Sequence, residues 1–246
     1  MKTFARMACA LALVVGGAGS ANASIQINGT RVIYPAGQRE VTISMENNSS
    51  APVLLQSWVD EGNPKDSPEN SKAPFILTPP LVRVDPGKGQ TLRIMFTGAS
   101  LPQDRESVFW LNVLEIPTKP KANESETSNY LQFAIRSRMK IFYRPSGLAG
   151  NAFDAVEKIN WRVQKDGNGY VAECNNPTPY FVSFGSLNFK GVAPEKNLEP
   201  KGGMCPPMAT EKFPLKGGVD TAAGKLTVEV INDYGGFDTH EVSFTR

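Results

Sequence analysis

The chain has 246 residues, of which 20% are charged, and a formal net charge of +2. A balance this close to neutral gives no support for a nucleic-acid or anionic-membrane partner. The one apolar run near the N-terminus is too short to span a bilayer, and no later stretch approaches the roughly 18 apolar residues of a membrane helix.

The first 23 residues have the pattern of a secretory signal peptide. Lys2 and Arg6 supply a positive start, a short apolar run follows, and Ala21-Asn22-Ala23 is a small-residue cleavage site. We therefore expect residues 1–23 to be removed and the mature chain to begin at Ser24. Its 24 basic residues then balance its 24 acidic residues.

The mature sequence is a succession of short β-type runs separated by Pro, Gly, Asn and Ser turn signals. No window shows a helical period over three turns. Strands at this spacing, without intervening helices, indicate an all-β sandwich or barrel. The predicted strands are Ile25–Ile27, Val41–Met45, Val53–Val59, Thr91–Phe96, Phe109–Glu115, Tyr130–Tyr143, Ile159–Gln164, Gly169–Glu173, Phe181–Phe189, Lys225–Ile231 and Glu241–Phe244.

The strand predicted over Tyr130–Tyr143 is the most informative of these. Leu131, Phe133 and Ile135 alternate with polar or small residues, and the run continues to Pro145. Typical strands have about five or six residues, and a long apolar strand at a sheet edge is an aggregation hazard unless something covers it. We therefore predict that another chain pairs with this strand.

A short joint containing Pro and Gly follows at residues 145–150. It divides the mature chain into a first domain, residues 24–144, and a second, residues 151–246. Each is close to the roughly 100 residues of an immunoglobulin-like sandwich. The sequence therefore predicts two β-sandwich domains joined by a hinge.

Two cysteines, Cys174 and Cys205, remain once Cys9 is removed with the signal. In an oxidising exported compartment, we expect a disulfide between them. Together with the single His240 they lack metal-ligand spacing, and no Cys-x-x-Cys motif is present. We predict neither a metal nor a cofactor.

Catalytic motifs are also missing from the sequence. His240 lies in a strand-like segment, and there is no nucleophile elbow, phosphate-binding loop or dinucleotide fingerprint. We predict no catalytic residues. Two basic residues in strand-like segments, Arg31 and Lys140, allow two interpretations: solvated strand charges, or an interdomain site for an anion such as a chain-terminal carboxylate.

The chain resembles the periplasmic pilus-assembly chaperones of the chaperone–usher pathway. The segments that carry the resemblance fall in order and span both domains: Gly29–Pro35, Thr78–Pro80, Leu101–Ser107, Asn112–Pro117, Lys140–Pro145, Asn176–Tyr180 and Ile231–Gly236. The resemblance implies two immunoglobulin-like sandwiches in a boomerang arrangement with an interdomain cleft. It also implies a periplasmic, non-enzymatic protein whose partners are pilus subunits and an outer-membrane usher. The absence of cysteine from the first domain favours the short-loop branch, and a self-capping homodimer of the free protein is left open.

The resemblance further assigns roles to individual residues. Arg31 and Lys140 match the pair that anchors the C-terminal carboxylate of a subunit. Leu131, Phe133 and Ile135 match the apolar residues of a donor strand that fills the groove left by a pilin's missing strand.

Three charged residues match a trio that fixes the angle between the domains, namely Glu106, Arg144 and Asp233. Lys140 has the opposite parity from the donor-strand residues, so a flat strand would place them on different faces.

Two other functions compete with the chaperone interpretation. A structural or adhesive fibre subunit would need an N-terminal extension of alternating apolar residues, for which residues 24–29 are too short. A carbohydrate-binding or hydrolytic sandwich would need paired carboxylates or an aromatic platform. Trp58, Trp110 and Trp161 all lie in strand-like segments, where core packing is expected.

Overall fold

The computed structural model describes residues 25–118, 132–166, 169–189, 203–215 and 223–245. The predicted signal peptide and Leu131 lie outside these ranges. Within them, the only helical element is a 3₁₀ turn at Val156–Lys158, and no helix is long and apolar enough to cross a membrane. The prediction of an all-β, two-domain protein is confirmed.

The first domain packs a four-stranded sheet, in the order β1-β3-β7-β5, against a five-stranded sheet, in the order β2-β9-β8-β4-β6. Period-2 alternation drives this packing: in β3, Ile43 and Met45 are buried while Thr42 and Ser44 are exposed. The strands are β1 (Ile25–Ile27), β2 (Arg31–Pro35), β3 (Val41–Asn47), β4 (Val53–Asp60), β5 (Phe75–Thr78), β6 (Leu81–Val84), β7 (Gly89–Phe96), β8 (Ser107–Pro117) and β9 (Ile135–Arg144).

Strand β9 lies between β8 and β2. It pairs antiparallel with β8 along its length, from Ile135 opposite Glu115 to Tyr143 opposite Ser107, without a register shift. Its pairing with β2 is parallel and begins only at Lys140, which lies opposite Arg31. The open edge of β9, residues 135–139, therefore has no second strand beside it within the described residues.

The prediction that this strand begins at Tyr130 was wrong for residues 132–134, which are described but form no strand. β8 continues two residues beyond Glu115, but extending the register would place Phe133 opposite Pro117, which has no amide hydrogen to donate to the ladder. The Gln132 side-chain amide instead donates to the carbonyls of Pro117, at 2.8 Å, and Thr118, at 3.1 Å.

The two faces of β9 have different surroundings. Met139, Ile141 and Tyr143 belong to the core of the first domain. Phe142, at the alternate parity, instead contacts Phe181 of the second domain, with ring centroids 5.7 Å apart. Since the register is unbroken, Lys140 lies on the opposite face from Ile135, as expected for a strand without a bulge.

The second domain is a single seven-stranded sheet in the order β13-β12-β15-β16-β10-β11-β14. Two separate sheets were expected of a sandwich, but a short parallel pairing of Trp161 and Arg162 with Phe244 and Thr245 joins the halves. The sheet bends around one core that takes residues from both halves. Its strands are β10 (Asn160–Asp166), β11 (Gly169–Asn176), β12 (Val182–Phe189), β13 (Gly203–Cys205), β14 (Ala209–Leu215), β15 (Ala223–Ile231) and β16 (Phe237–Thr245).

The predicted disulfide between Cys174 and Cys205 is present and links β11 to β13 across 31 residues. Both cysteines are fully buried in the second core. Because a cross-link removes conformations from the unfolded chain, closing a loop of this length stabilises by roughly 3–4 kcal/mol.

We therefore expect a Cys174→Ala/Cys205→Ala variant to lose roughly 3–4 kcal/mol in free energy of unfolding. The measurement is urea denaturation followed by tryptophan fluorescence. The reduced wild type should show a similar loss, and an unchanged midpoint for both proteins would refute a stabilising role for the bond.

Candidate functional site: the interdomain cleft

Arg144, the last residue of β9, connects the two domains. Its Nε donates to Glu106 Oε1 at 2.6 Å, and its Nη1 and Nη2 donate to the Asp233 carboxylate at 2.7 and 3.0 Å. Glu106 also accepts a hydrogen bond from the Phe181 amide, at 2.8 Å, through Oε2. The structure thus brings the charged trio together, with Asp233 and Phe181 contributed by the second domain.

The electrostatics of the trio follow from its burial. Burial raises the pKa of Glu106 above the usual glutamate value, although Arg144 and the Phe181 amide act against the shift. Burial alone would lower the pKa of Arg144, but its hydrogen bonds and charge contacts with Asp233 and Glu106 raise it. Removing the arginine would leave a buried carboxylate without its counter-charge, which is strongly destabilising.

Arg31 and Lys140 lie side by side where β2 begins its pairing with β9. Arg31 Nη1 donates to the Ile231 carbonyl at 2.6 Å, and its guanidinium carbon lies 5.6 Å from the centre of the Phe142 ring. Arg31 Nε is buried and has no hydrogen-bond partner among the described residues. Lys140 Nζ likewise has no hydrogen-bond acceptor within reach in the part of the chain that the structure describes.

This pair of cations is held at an electrostatic disadvantage. Burial lowers the pKa of Lys140, and the neighbouring Arg31 charge lowers it further. Burial also lowers the pKa of Arg31, against the opposing influence of Asp233 and Glu106. An anion between the two cations would relieve both effects, and a carboxylate has the geometry to accept hydrogen bonds from both.

A cavity of about 400 Å³ adjoins the pair. Sequence reasoning assigned Trp110 to the core, but Trp110 is only partly buried and lines this cavity. The sequence contains a signal for this position. Trp110 lies between the core residues Phe109 and Leu111, so strand alternation places it on the opposite face of β8. The full lining is Thr30, Arg31, Trp110, Arg138, Met139 and Lys140 from the first domain and Ile231, Gly235 and Phe237 from the second.

The predicted donor-strand residues precede the cleft residues along the chain. Phe133 and Ile135 are 68% and 52% exposed, respectively, although both are large and apolar. Ile135 begins the open edge of β9, and Phe133 precedes it. Leu131, the third predicted donor residue, lies outside the described residues.

A polar network behind the open edge was missed by sequence reasoning. Asp60 is fully buried and accepts hydrogen bonds from Arg138 Nη2 at 2.5 Å and Asn112 Nδ2 at 2.7 Å. Burial alone would raise the pKa of Asp60, but these bonds and one from the Gly62 amide hold it below its usual range. Arg136 donates to Asn112 Oδ1 at 2.7 and 2.9 Å and lies over the Trp58 ring.

The network fixes the strand that carries the open edge. Arg136 and Arg138 lie on the same face of β9 as Lys140, and Asp60 and Asn112 hold them from the adjoining strands β4 and β8.

The other two tryptophans lie in different places. Trp161 packs in the second core as predicted, whereas Trp58 is buried beneath Arg136. Among the described residues, no group of three or more His, Cys, Asp or Glu side chains could hold a metal.

These observations define a class of two-domain β-protein with an open apolar edge strand and a cationic cleft. Residues 24–149 match the N-terminal domain, and residues 154–242 the C-terminal domain, of the PapD pili and flagellar-assembly chaperones. The chain belongs to this family of pilus-assembly chaperones, which is not a family of enzymes.

Individual relatives agree with the assignment. The chain is 44% identical over 236 residues to the chaperone protein FimB/FhaD of Bordetella pertussis, covering 94% of this chain and 93% of the relative. Its structure is similar to that of the CupB2 chaperone of Pseudomonas aeruginosa, with a TM-score of 0.70, 40% identity and coverage of 88% and 98%. The SafB chaperone of Salmonella enterica, solved with the SafA pilin, has a TM-score of 0.71, 27% identity and coverage of 93% and 99%.

The trio yields a stability prediction with a definite pH dependence. We expect Arg144→Met to lower the free energy of unfolding by about 3–5 kcal/mol near neutral pH, because Glu106 is left buried and unpaired. A carboxyl group whose pKa is higher in the folded than in the unfolded protein binds protons more readily when folded. The deficit should therefore shrink as the pH falls through the pKa of Glu106.

Urea denaturation between neutral pH and about pH 5 measures both effects. Arg105→Met, which removes an exposed arginine paired with Asp104, is the matched control and should leave the stability unchanged at each pH. A deficit for Arg144→Met that grew as the pH fell would contradict the assignment of the penalty to Glu106.

Proposed function

We propose that this protein is a periplasmic chaperone that captures pilus subunits by donating β9 to them and delivers them to an outer-membrane usher. One observation carries the proposal: an exposed apolar row and an open strand edge lead directly to two adjacent cations, neither of which forms an ion pair within the described residues. A long apolar edge is otherwise avoided by proteins, because it invites pairing with other chains. Its retention here beside an anion site fits a protein whose task is to pair with another chain.

The open edge of β9 supplies the backbone part of the interaction. A subunit that lacks a strand exposes a groove and unpaired main-chain groups, and a donated strand satisfies these groups while its alternate side chains fill the groove. Chaperone–pilin complexes are an established example of such strand addition. Phe133 and Ile135 would each contribute on the order of 1.5–3 kcal/mol, before the cost of ordering the chains.

The start of β2 determines where a bound subunit strand would end. A subunit strand that follows the open edge of β9 must stop at Lys140, because β2 occupies the edge from there onwards. A strand that stops there with its C-terminus runs parallel to β9, as β2 does, and its carboxylate comes beside Arg31. Fixing that end sets the register, since a one-residue slip would turn every side chain to the other face.

The family and the sequence support the proposed partners and compartment. The solved complex of the related Salmonella chaperone with a pilin supports pilus subunits as the partner class. A signal peptide at residues 1–23 and the disulfide between Cys174 and Cys205 fit a periplasmic location. Usher delivery, the short-loop branch and a self-capping homodimer that covers the open edge of the free protein are further parts of the proposal.

The donor-strand role is tested by Phe133→Asp. Because Phe133 is 68% exposed, the variant should fold and be exported like the wild type. It should nevertheless fail to capture subunits, since an aspartate carboxylate cannot enter an apolar groove without a large desolvation penalty. The measurement is a periplasmic pull-down with mass spectrometry.

Ile76→Asp is the matched control, because Ile76 is a similarly exposed apolar residue on β5 of the other sheet. It should retain its subunits. Capture at the wild-type level by Phe133→Asp would count against strand donation through this residue.

The anchor is tested in the same assay with Arg31→Ala/Lys140→Ala. Loss of both donors should weaken subunit binding at least about tenfold, because the buried carboxylate would lose its charged partners. Arg83→Ala, which removes an exposed arginine of β6, should bind as the wild type does. If folded wild type and variant both hold no pilin, the chaperone proposal fails and a structural or adhesive role takes its place.

A further inference from the structure

The cavity beside the carboxylate anchor has an apolar part that the anchor does not use. Its volume of about 400 Å³ lies in the range of roughly 300–1,000 Å³ that ligand pockets occupy. Trp110, Ile231 and Phe237 contribute to its lining together with Arg31 and Lys140. Phe237 is 64% exposed, so a large aromatic surface in the cleft is left uncovered.

The position of Phe237 is determined by the backbone behind it. Its ring packs against Gly185, at a shift in register between β12 and β15. A β-carbon at Gly185 would lie 2.6 Å from Phe237 Cε1, so only glycine allows the ring to lie there. The aromatic wall is therefore supported by the fold of the second domain.

Trp110 is held equally firmly from the first domain. It lies opposite Lys140 in the β8–β9 ladder, and the guanidinium of Arg138 stacks 5.5 Å from its ring centre. Arg138 is itself bound to the buried carboxylate of Asp60 at 2.5 Å. Trp110 of β8 is thus held in place by residues of β9, the strand that also carries Lys140.

The covalent structure of a chain terminus links these two parts of the cavity. In a C-terminal residue, the carboxylate and the side chain are bonded to one Cα atom. If the carboxylate lies between Arg31 and Lys140, the side chain begins beside the same cavity, whose lining includes both cations. A basic side chain would be repelled by the cations of the lining, and a small one would leave Trp110 and Phe237 exposed to water.

Resting on the carboxylate anchor proposed above, we propose that this cavity receives the side chain of the subunit's C-terminal residue and selects a large apolar one. Trp110 and Phe237 are the specificity-determining residues. An aromatic ring suits them best, because aromatic pairs in offset-stacked or edge-to-face contact are stabilised beyond the burial of their area. The chaperone would then distinguish subunits by their last side chain as well as by a free C-terminus.

Peptide binding to the purified, full-length exported protein tests this proposal. The probe is a fluorescein-labelled peptide of alternating valine and threonine that ends in phenylalanine with a free carboxylate. Two matched peptides end in alanine with a free carboxylate and in phenylalanine carboxamide. Fluorescence anisotropy gives the dissociation constant for each.

We expect the phenylalanine acid to bind at least about tenfold more tightly than the alanine acid, because burying a large apolar side chain contributes about 1.5–3 kcal/mol. In Phe237→Ala the ratio should fall below about threefold, while the alanine acid binds as it does to the wild type. Trp110→Leu should reduce the ratio in the same direction. Ile76→Ala, which truncates an exposed apolar residue outside the cleft, should leave the ratio unchanged.

The three peptides separate this inference from the anchor on which it rests. Equal binding of the phenylalanine acid and its carboxamide would overturn the carboxylate anchor and the inference together. A preference for the acid, with phenylalanine and alanine bound alike, would leave the anchor standing and overturn the side-chain selectivity alone. A preference for phenylalanine that persists in both Phe237→Ala and Trp110→Leu would also overturn the assignment to this cavity.

Discussion

The parallel pairing of β2 with β9 is the constraint on which the rest of the structure depends. Because it begins at Arg31 and Lys140, it leaves the preceding residues of β9 with β8 alone. The same starting point sets two cations side by side. An open edge and a charged end point are therefore consequences of one register, and shifting that register by one residue would separate them.

The two cations are unfavourable in the free protein. Like charges placed directly opposite each other across a strand pair destabilise it, and burial increases the penalty. Nothing in the packing of the first domain requires a lysine at position 140, since its side chain faces away from the core. Departures from optimal local energetics concentrate at functional sites, and an anion bound between the two cations would offset the cost of this pair, as the proposed anchor requires.

Because side chains alternate along a strand, the two faces of β9 have different surroundings. Residues at the parity of Ile135 form the core of the first domain at one end of the strand and the exposed apolar row at the other. Residues at the parity of Lys140 face the second domain or the Asp60 network. One strand of 10 residues thus carries the exposed apolar row, the proposed anchor and the interdomain contact.

Much of this architecture could be predicted from local sequence, because alternation and turn residues act over a few positions. The sequence itself predicted the all-β class and the Cys174–Cys205 bond. The family resemblance predicted the grouping of the charged trio. What could not be predicted depends on partners distant in sequence. The start of β9 at Ile135 depends on how far its ladder with β8 extends, and the continuous second sheet depends on a short pairing of β10 with β16. The bonds from Arg138 to Asp60 likewise cross 78 residues.

The segment that follows β15 connects the domain arrangement to the binding site. Ile231 offers its carbonyl to Arg31, and two residues later Asp233 accepts two hydrogen bonds from Arg144. Arg144 and Lys140 lie on one face of β9. A rotation of the second domain that broke the Arg144 contacts would therefore also withdraw the acceptor that orients Arg31. A buried ion pair is weak evidence for stability by itself, but here it restrains the segment whose carbonyl orients the Arg31 guanidinium. The arrangement of the two domains and the geometry of the proposed anchor therefore depend on the same contacts.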